Sequence, residues 1–150
     1  MTKVALIDDD ASIRRSVSRL LRSKGYECVV YDSAESALAD PKLLQMGCLL
    51  IDIELLGMNG FEFRDRLRDV GSPVPHIFVT AHSAYNLPEW RARMGDSICL
   101  IKPVEERLLL SAIEKLTLPA GPAGWARDLE VDVKPPEPRG VRPNSPQRDR

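Results

Sequence analysis

No apolar run in this 150-residue chain approaches the ~20 residues that a membrane-spanning helix needs. Neither sign of charge prevails. The 21 Lys and Arg stand against 22 Asp and Glu, a net charge of −1, which excludes a nucleic-acid binder working by bulk charge. Cys28, Cys48 and Cys99 are odd in number, widely spaced and each inside an apolar run. They read as small buried hydrophobes of a reducing compartment, not as a disulfide or a metal site. His76 and His82 have no second His or Cys placed with them, so histidine metal chemistry has no support and His76 reads as structural. The first residues are strand-like and run straight into Asp8-Asp9-Asp10, unlike a signal peptide. These absences describe a cytoplasmic protein. What remains, 43% apolar and 29% charged residues, suits one soluble domain with an ordinary core.

Short apolar runs alternate with helical patterns. Asp10 can cap a helix running to about Lys24, with Ile13, Val17, Leu20 and Leu21 on one stripe. Residues 26–31 read as a second strand, and Ser33 can cap a helix containing Ala34, Ala37 and Leu38. Gly57 and Gly60 mark a loop, after which Phe63, Leu67 and Val70 form a helical stripe ended by Gly71 and Pro73. A weak helix lies near 87–94; Pro88 cannot sit inside it, so Asn86 is the expected cap. Residues 105–116 form a stronger one, with Leu108, Leu109, Ala112, Ile113 and Leu116 inward. Strict alternation of five strands and five helices implies a parallel α/β sheet with right-handed crossovers and helices on both faces. The strands lack polar alternation, as expected when both faces are covered.

The carboxyl ends of these runs carry the chemistry. Val4-Ala5-Leu6-Ile7 ends in Asp8-Asp9-Asp10, and Cys48-Leu49-Leu50-Ile51 ends in Asp52. Ile77-Phe78-Val79 ends in Thr80, and Ile98-Cys99-Leu100-Ile101 ends in Lys102-Pro103. In an open parallel sheet the ligand site lies at those ends, beside the point where strand order reverses. A hard divalent cation wants oxygen ligands, which the carboxylates would supply in part. A carboxylate can attack a phosphoryl group to give an acyl phosphate. Lys102 and a cation could then balance charge on the transferred oxygens, and Thr80 could donate a hydrogen bond. Asp10 reads as a helix cap alone, whereas Asp8 and Asp9 would repel without a cation.

With these motifs in order, residues 3–116 resemble the receiver domain of two-component response regulators, the nitrogen-fixation-regulator type especially. The resemblance rests on Leu6-Ile7-Asp8-Asp9-Asp10, Ile13-Arg14-Arg15-Ser16-Val17, Leu49-Leu50-Ile51-Asp52-Ile53, Gly57-Met58-Asn59-Gly60, Val79-Thr80-Ala81-His82 and Leu100-Ile101-Lys102-Pro103. It implies a flavodoxin-like sheet of strand order 2-1-3-4-5. It also implies Asp52 as phosphoacceptor, Mg²⁺ on Asp8, Asp9, Asp52 and the Glu54 carbonyl, and Thr80 and Lys102 on the phosphoryl oxygens. A cis bond before Pro103 is implied as well. The implied partners are a sensor histidine kinase or phosphotransfer protein, an unknown output protein, and a second copy on phosphorylation.

Four residues depart from that pattern. Leu56 stands where the loop after the acceptor usually has proline, and Cys99 replaces the aromatic switch residue three before the lysine. Asp96 replaces a small residue and Pro88 shortens the fourth helix. Cys99, Asp96 and Pro88 motivate an alternative reading, a receiver-like interaction module independent of phosphorylation. A hydrolase with a nucleophilic aspartate, of the haloacid-dehalogenase kind, is a weaker one. Asp52-Ile53-Glu54 resembles its opening motif, but on the wrong strand. Trp90 is either an interface anchor or a half-buried packing residue. The receiver is expected over 1–118. Residues 119–150 hold seven of the twelve prolines and no apolar periodicity, the composition of a disordered tail. Trp125 and Leu129 could dock there, and Arg139, Arg142, Arg148 and Arg150 could meet an acidic partner. Such a tail cannot supply a helix-turn-helix, so the expectation is a stand-alone receiver without direct DNA binding.

Overall fold

The computed structural model describes residues 2–81, 83 and 86–117; His82 and the 119–150 tail with Trp125, Leu129 and its arginines lie outside them. Five strands, β1 (Lys3–Ile7), β2 (Glu27–Tyr31), β3 (Cys48–Asp52), β4 (His76–Thr80) and β5 (Ile98–Ile101), pair in parallel in the order β2-β1-β3-β4-β5. Between and after them run α1 (Ala11–Ser23), α2 (Ala34–Leu38), α3 (Gly60–Asp69), α4 (Pro88–Met94) and α5 (Glu106–Thr117). A 3₁₀ turn at Pro41–Gln45, which the sequence pattern did not suggest, leads into β3.

The uninterrupted apolar runs are explained by two separate cores. Ala5, Ile7, Leu49, Ile51, Phe78 and Cys99 face one core, completed by Phe61, Phe63 and Leu67 of α3 and Met94 of α4. The alternate residues Val4, Leu6, Cys48, Leu50, Ile77 and Leu100 face the other, under Leu21 of α1 and Leu109, Ala112 and Ile113 of α5. Period-two alternation persists, but both phases are buried, so no polar residue marks it. Strand order reverses at β1, which places α1 and α5 on one face and opens a crevice above β1 and β3.

The ends of the helices show the local rules at work. Asp10 caps α1, its Oδ1 accepting from the amides of Ser12 at 2.8 Å and Ile13 at 3.3 Å. Ser33 caps α2 through the Ser36 amide. At α3, Asn59 and Glu62 form a reciprocal capping box. Gly60 is therefore the first helical residue and not loop. A Cβ there would stand 2.8 Å from the Asp52 carbonyl oxygen, so the close passage of α3 over β3 admits only glycine. Helix α3 ends at Asp69, which leaves Val70 beyond the stripe and 67% exposed. Helix α4 starts at Pro88 with Leu87 as N-cap and no side-chain cap bond. The expected Asn86 cap is displaced by one residue because proline's missing N–H is harmless at the first helical position.

Candidate functional site

At the carboxyl edge of the sheet, the turns after β1 and β3 bring Asp8, Asp9 and Asp52 together. One carboxylate oxygen from each lies within 4.8 Å of the others. Asp8 and Asp52 are buried and Asp9 is exposed, so the cluster has a closed floor and an open rim. Each side chain is oriented by a backbone amide. Asp8 Oδ1 accepts from Asp10 N at 2.9 Å, Asp52 Oδ1 from Glu54 N at 3.0 Å, and Asp9 Oδ2 from Leu56 N at 3.3 Å. Lys102, just beyond β5, reaches across from a cis Lys102-Pro103 bond and places Nζ 3.2 Å from Asp8 Oδ2 and 3.3 Å from Asp52 Oδ2.

These neighbours set the electrostatics. Burial, then the negative Asp8, push the Asp52 carboxyl up to about 6, against the opposing pull of Lys102 and of the Glu54 amide. Burial alone would depress the Lys102 ammonium, but Asp52 and Asp8 override it and hold the group above the ordinary lysine value. Among the described residues, Lys102 is the cation paired with these carboxylates, through Asp8 and Asp52, and the exposed Asp9 forms no ion pair. Thr80, at the end of β4, is fully buried, and its Oγ1 has no hydrogen-bond partner among the described residues. A buried hydroxyl without a partner is costly unless a ligand completes it. Hard oxygen donors beside an orphaned hydroxyl fit a small divalent cation together with an oxyanion.

The structure thus gathers Asp8, Asp9, Asp52, Thr80 and Lys102, and it carries Glu54 in the turn directly after β3. Asp10 stays outside as a cap. His76 faces away from the crevice, its Nε2 3.0 Å from Ser97 Oγ and its ring 4.9 Å from that of Phe78. Burial, then Arg64 and Arg68, lower its pKa to about 4, so it is a neutral packing residue at ordinary pH. The three cysteines are buried and form no disulfide; burial pushes the Cys28 thiol up to about 11 and the Cys48 thiol to about 12. Trp90 is half-buried, standing edge-on to Phe61 at 5.6 Å and 90°. This is the packing alternative.

Sequence reasoning gave no role to two side chains that shape this edge. Arg14 donates from Nη1 to the Asp8 carbonyl at 2.8 Å, and Glu35 Oε2 accepts from the Met58 amide at 3.0 Å. Nothing in their spacing points to either contact, because each is set by how a helix crosses a loop.

A sequence model of the response regulator receiver domain matches residues 4–114. Among curated relatives, transcriptional regulatory protein FixJ of Bradyrhizobium diazoefficiens is 31% identical over 130 residues, 87% of this chain and 63% of that protein. Nodulation protein W of the same organism is 32% identical over 76% of this chain and 50% of its own length. The chain therefore spans about half to two-thirds of the curated relatives it matches. Among solved structures, response regulator StyR superposes with a TM-score of 0.71 at 33% identity, covering 87% of this chain and 66% of that one. Matched in sequence along most of its length and in strand order throughout, the chain belongs to the response regulator receiver domain family.

Proposed function

We propose that this protein is a phosphorylation-controlled switch with Asp52 as its phosphoacceptor. Receivers of this family take a phosphoryl group on an aspartate from histidine kinases in two-component signalling. The observation that carries the assignment is the Asp52 carboxylate lying 3.3 Å from Lys102 Nζ in the same crevice edge as the unpartnered Thr80 hydroxyl. In the transfer, an Asp52 oxygen attacks phosphorus while the bond from phosphorus to the donor imidazole nitrogen breaks, and that nitrogen keeps the electron pair. Lys102 exchanges its contact with Asp52 for one with the phosphoryl oxygens, and the Thr80 hydroxyl donates a hydrogen bond to another of them. Asp8, Asp9, Asp52 and the Glu54 carbonyl are the groups that would hold Mg²⁺, which when bound supplies positive charge beside the transferred group. The protein promotes its own phosphorylation and dephosphorylation and has no separate substrate.

The remaining parts of the reading follow from the same assignment. Its donor is a sensor histidine kinase or a phosphotransfer protein, and its output is a protein contact, with a second copy as one candidate partner. It works in the cytoplasm, where its cysteines stay reduced. The receiver occupies 1–118 and the 119–150 segment is a proline- and arginine-rich tail; limited proteolysis that fails to cut first after about residue 118 would reject that division. A native product longer than these 150 residues would replace the stand-alone arrangement.

The test is phosphoryl incorporation from acetyl phosphate, followed by intact-mass spectrometry. The wild type gains one phosphoryl group with Mg²⁺ and none with a chelator, and Asp52→Ala gains none in either case. A folded wild type that gains nothing rejects the assignment. The second reading, a phosphorylation-independent interaction module, is favoured by one observation. Cys99 is fully buried where the family's aromatic switch residue would stand. Equal partner affinity before and after phosphorylation would select it.

A further inference from the structure

Loop 53–59, which joins the acceptor strand to α3, is anchored at both ends. Ile53 N donates to the Val79 carbonyl at 3.0 Å, and Gly60 N to the Ile53 carbonyl at 3.0 Å. Its middle has Leu56 80% exposed and no proline to stiffen it. Among the described residues, two hydrogen bonds from outside the loop reach that middle. Leu56 N donates to Asp9 Oδ2 inside the crevice, and Met58 N donates to Glu35 Oε2 on α2. Between these two amides lies Gly57, at φ +75°, where an added Cβ would come within 2.9 Å of the Glu35 carboxylate. The loop therefore turns through a conformation that glycine alone adopts freely, tightly against Glu35. The Met58 amide, Glu35's own amide and the nearby Arg66 keep its carboxyl below the ordinary value, so it is an ionised acceptor at neutral pH.

We propose that Glu35 is a positioning residue for the phosphoacceptor site: by holding the Met58 amide it sets the course of loop 53–59, and through it the Leu56–Asp9 contact and the affinity of the crevice for a divalent cation. This rests on the reading of the crevice given above. Glu35 touches none of the acceptor, Lys102 or Thr80 in the hydrogen bonds described, so it acts only through the loop. It restrains the loop from α2, 23 residues away in sequence, whereas a proline at position 56 would stiffen it locally without the amide that meets Asp9.

The experiment compares wild type, Glu35→Ala and Glu35→Gln by site-resolved amide exchange and by Mg²⁺ titration of the full chain. In Glu35→Ala, exchange at Met58 and also at Leu56 rises about tenfold, and Mg²⁺ affinity falls about three- to tenfold. Glu35→Gln keeps an acceptor oxygen and restores most of both losses. A merely structural role would lower the melting temperature and raise Met58 exchange, with Leu56 exchange and Mg²⁺ affinity unchanged; that result overturns the proposal. A wild type that binds no Mg²⁺ and accepts no phosphoryl group would instead overturn the reading of the crevice, and the proposal with it.

Discussion

Two clusters of charge sit on the same sheet and are built in opposite ways. Around Asp52, three carboxylates cluster, Lys102 pairs with two of them, Asp8 and Asp52, and the Thr80 hydroxyl at the same edge has no described partner. Around Phe61, between α3 and α4, two guanidiniums lie against aromatic rings and share one carboxylate. Arg64 is 5% exposed, stands 5.6 Å from the Phe61 ring and 5.3 Å from that of Phe78, and donates to the Arg93 carbonyl at 2.8 Å. Arg93 stands 4.9 Å from the Phe61 ring, and both arginines bond Asp65. Each polar group in this second cluster is answered from within the protein. The first leaves the Thr80 hydroxyl without a described acceptor, which is the state a site needs if a ligand is to complete it. The second holds a seven-residue helix that begins without a side-chain cap. On the proposed reading, the unsatisfied cluster carries the chemistry and the satisfied one the cohesion.

The sharpest break in that comparison is Lys102→Ala, which removes the ammonium that pairs with Asp8 and Asp52. Phosphorylation by acetyl phosphate should slow about 100-fold, with the α4 corner unaffected in amide exchange. A rate within threefold of wild type would show that Lys102 is a surface ion pair only.

Next in size is a pair of opposing pH effects. Asp52, with Asp8 and Lys102 facing it, has its folded value raised to about 6 from 3.8. Its contribution to stability is complete below about pH 4 and is lost as pH rises through 6. His76, facing Arg64 and Arg68, has its folded value lowered to about 4 from 6.5. Its contribution is complete above about pH 6.5 and is lost as pH falls through 4. Each is worth about 2–3 kcal/mol across this window, so in the wild type they nearly cancel. Measured by urea unfolding without Mg²⁺, and relative to wild type, Asp52→Asn should lose stability on acidification and His76→Gln should gain it. Parallel profiles for the three proteins would disprove this opposition.

Removing the α3–α4 clamp comes third. Arg64→Ala should cost about 2 kcal/mol in urea unfolding and speed amide exchange in α4, while the phosphorylation rate stays within twofold. A large loss of phosphorylation rate in a folded variant would mean that the two clusters are coupled, not separate. Smallest is Leu56→Pro, which restores the family's usual residue. It removes the amide that donates to Asp9 but stiffens the unfolded chain, so stability should move by no more than about 0.5 kcal/mol. A shift well beyond that would show that the Leu56–Asp9 bond dominates the loop.

The two clusters were unequally legible. Asp8, Asp9, Asp52, Thr80 and Lys102 each follow an apolar run, and the rule that ligands gather at the carboxyl ends of parallel strands points to them together. Arg64 and Arg93 carried no such mark. They sit 29 residues apart on two exposed-looking helical patterns, and Arg64 is buried only because Phe61 and Phe78 offer it ring faces. Local rules also misplaced two boundaries, Gly60 and Asn86. In each case the backbone's fit to a neighbour or to proline decided between adjacent residues.

The amino-acid sequence by itself determined the element order, the caps at Asp10 and Ser33, and which residues end each strand, because these depend on side-chain period and on hydrogen bonds within a few residues. It did not determine that Glu35 would meet Met58, that Leu56 would meet Asp9, or that Arg64 would close on Arg93. A hydrogen bond forms over about 3 Å, and across two crossovers that distance is set by how helices pack on the twisted sheet. Only the tertiary structure decides it.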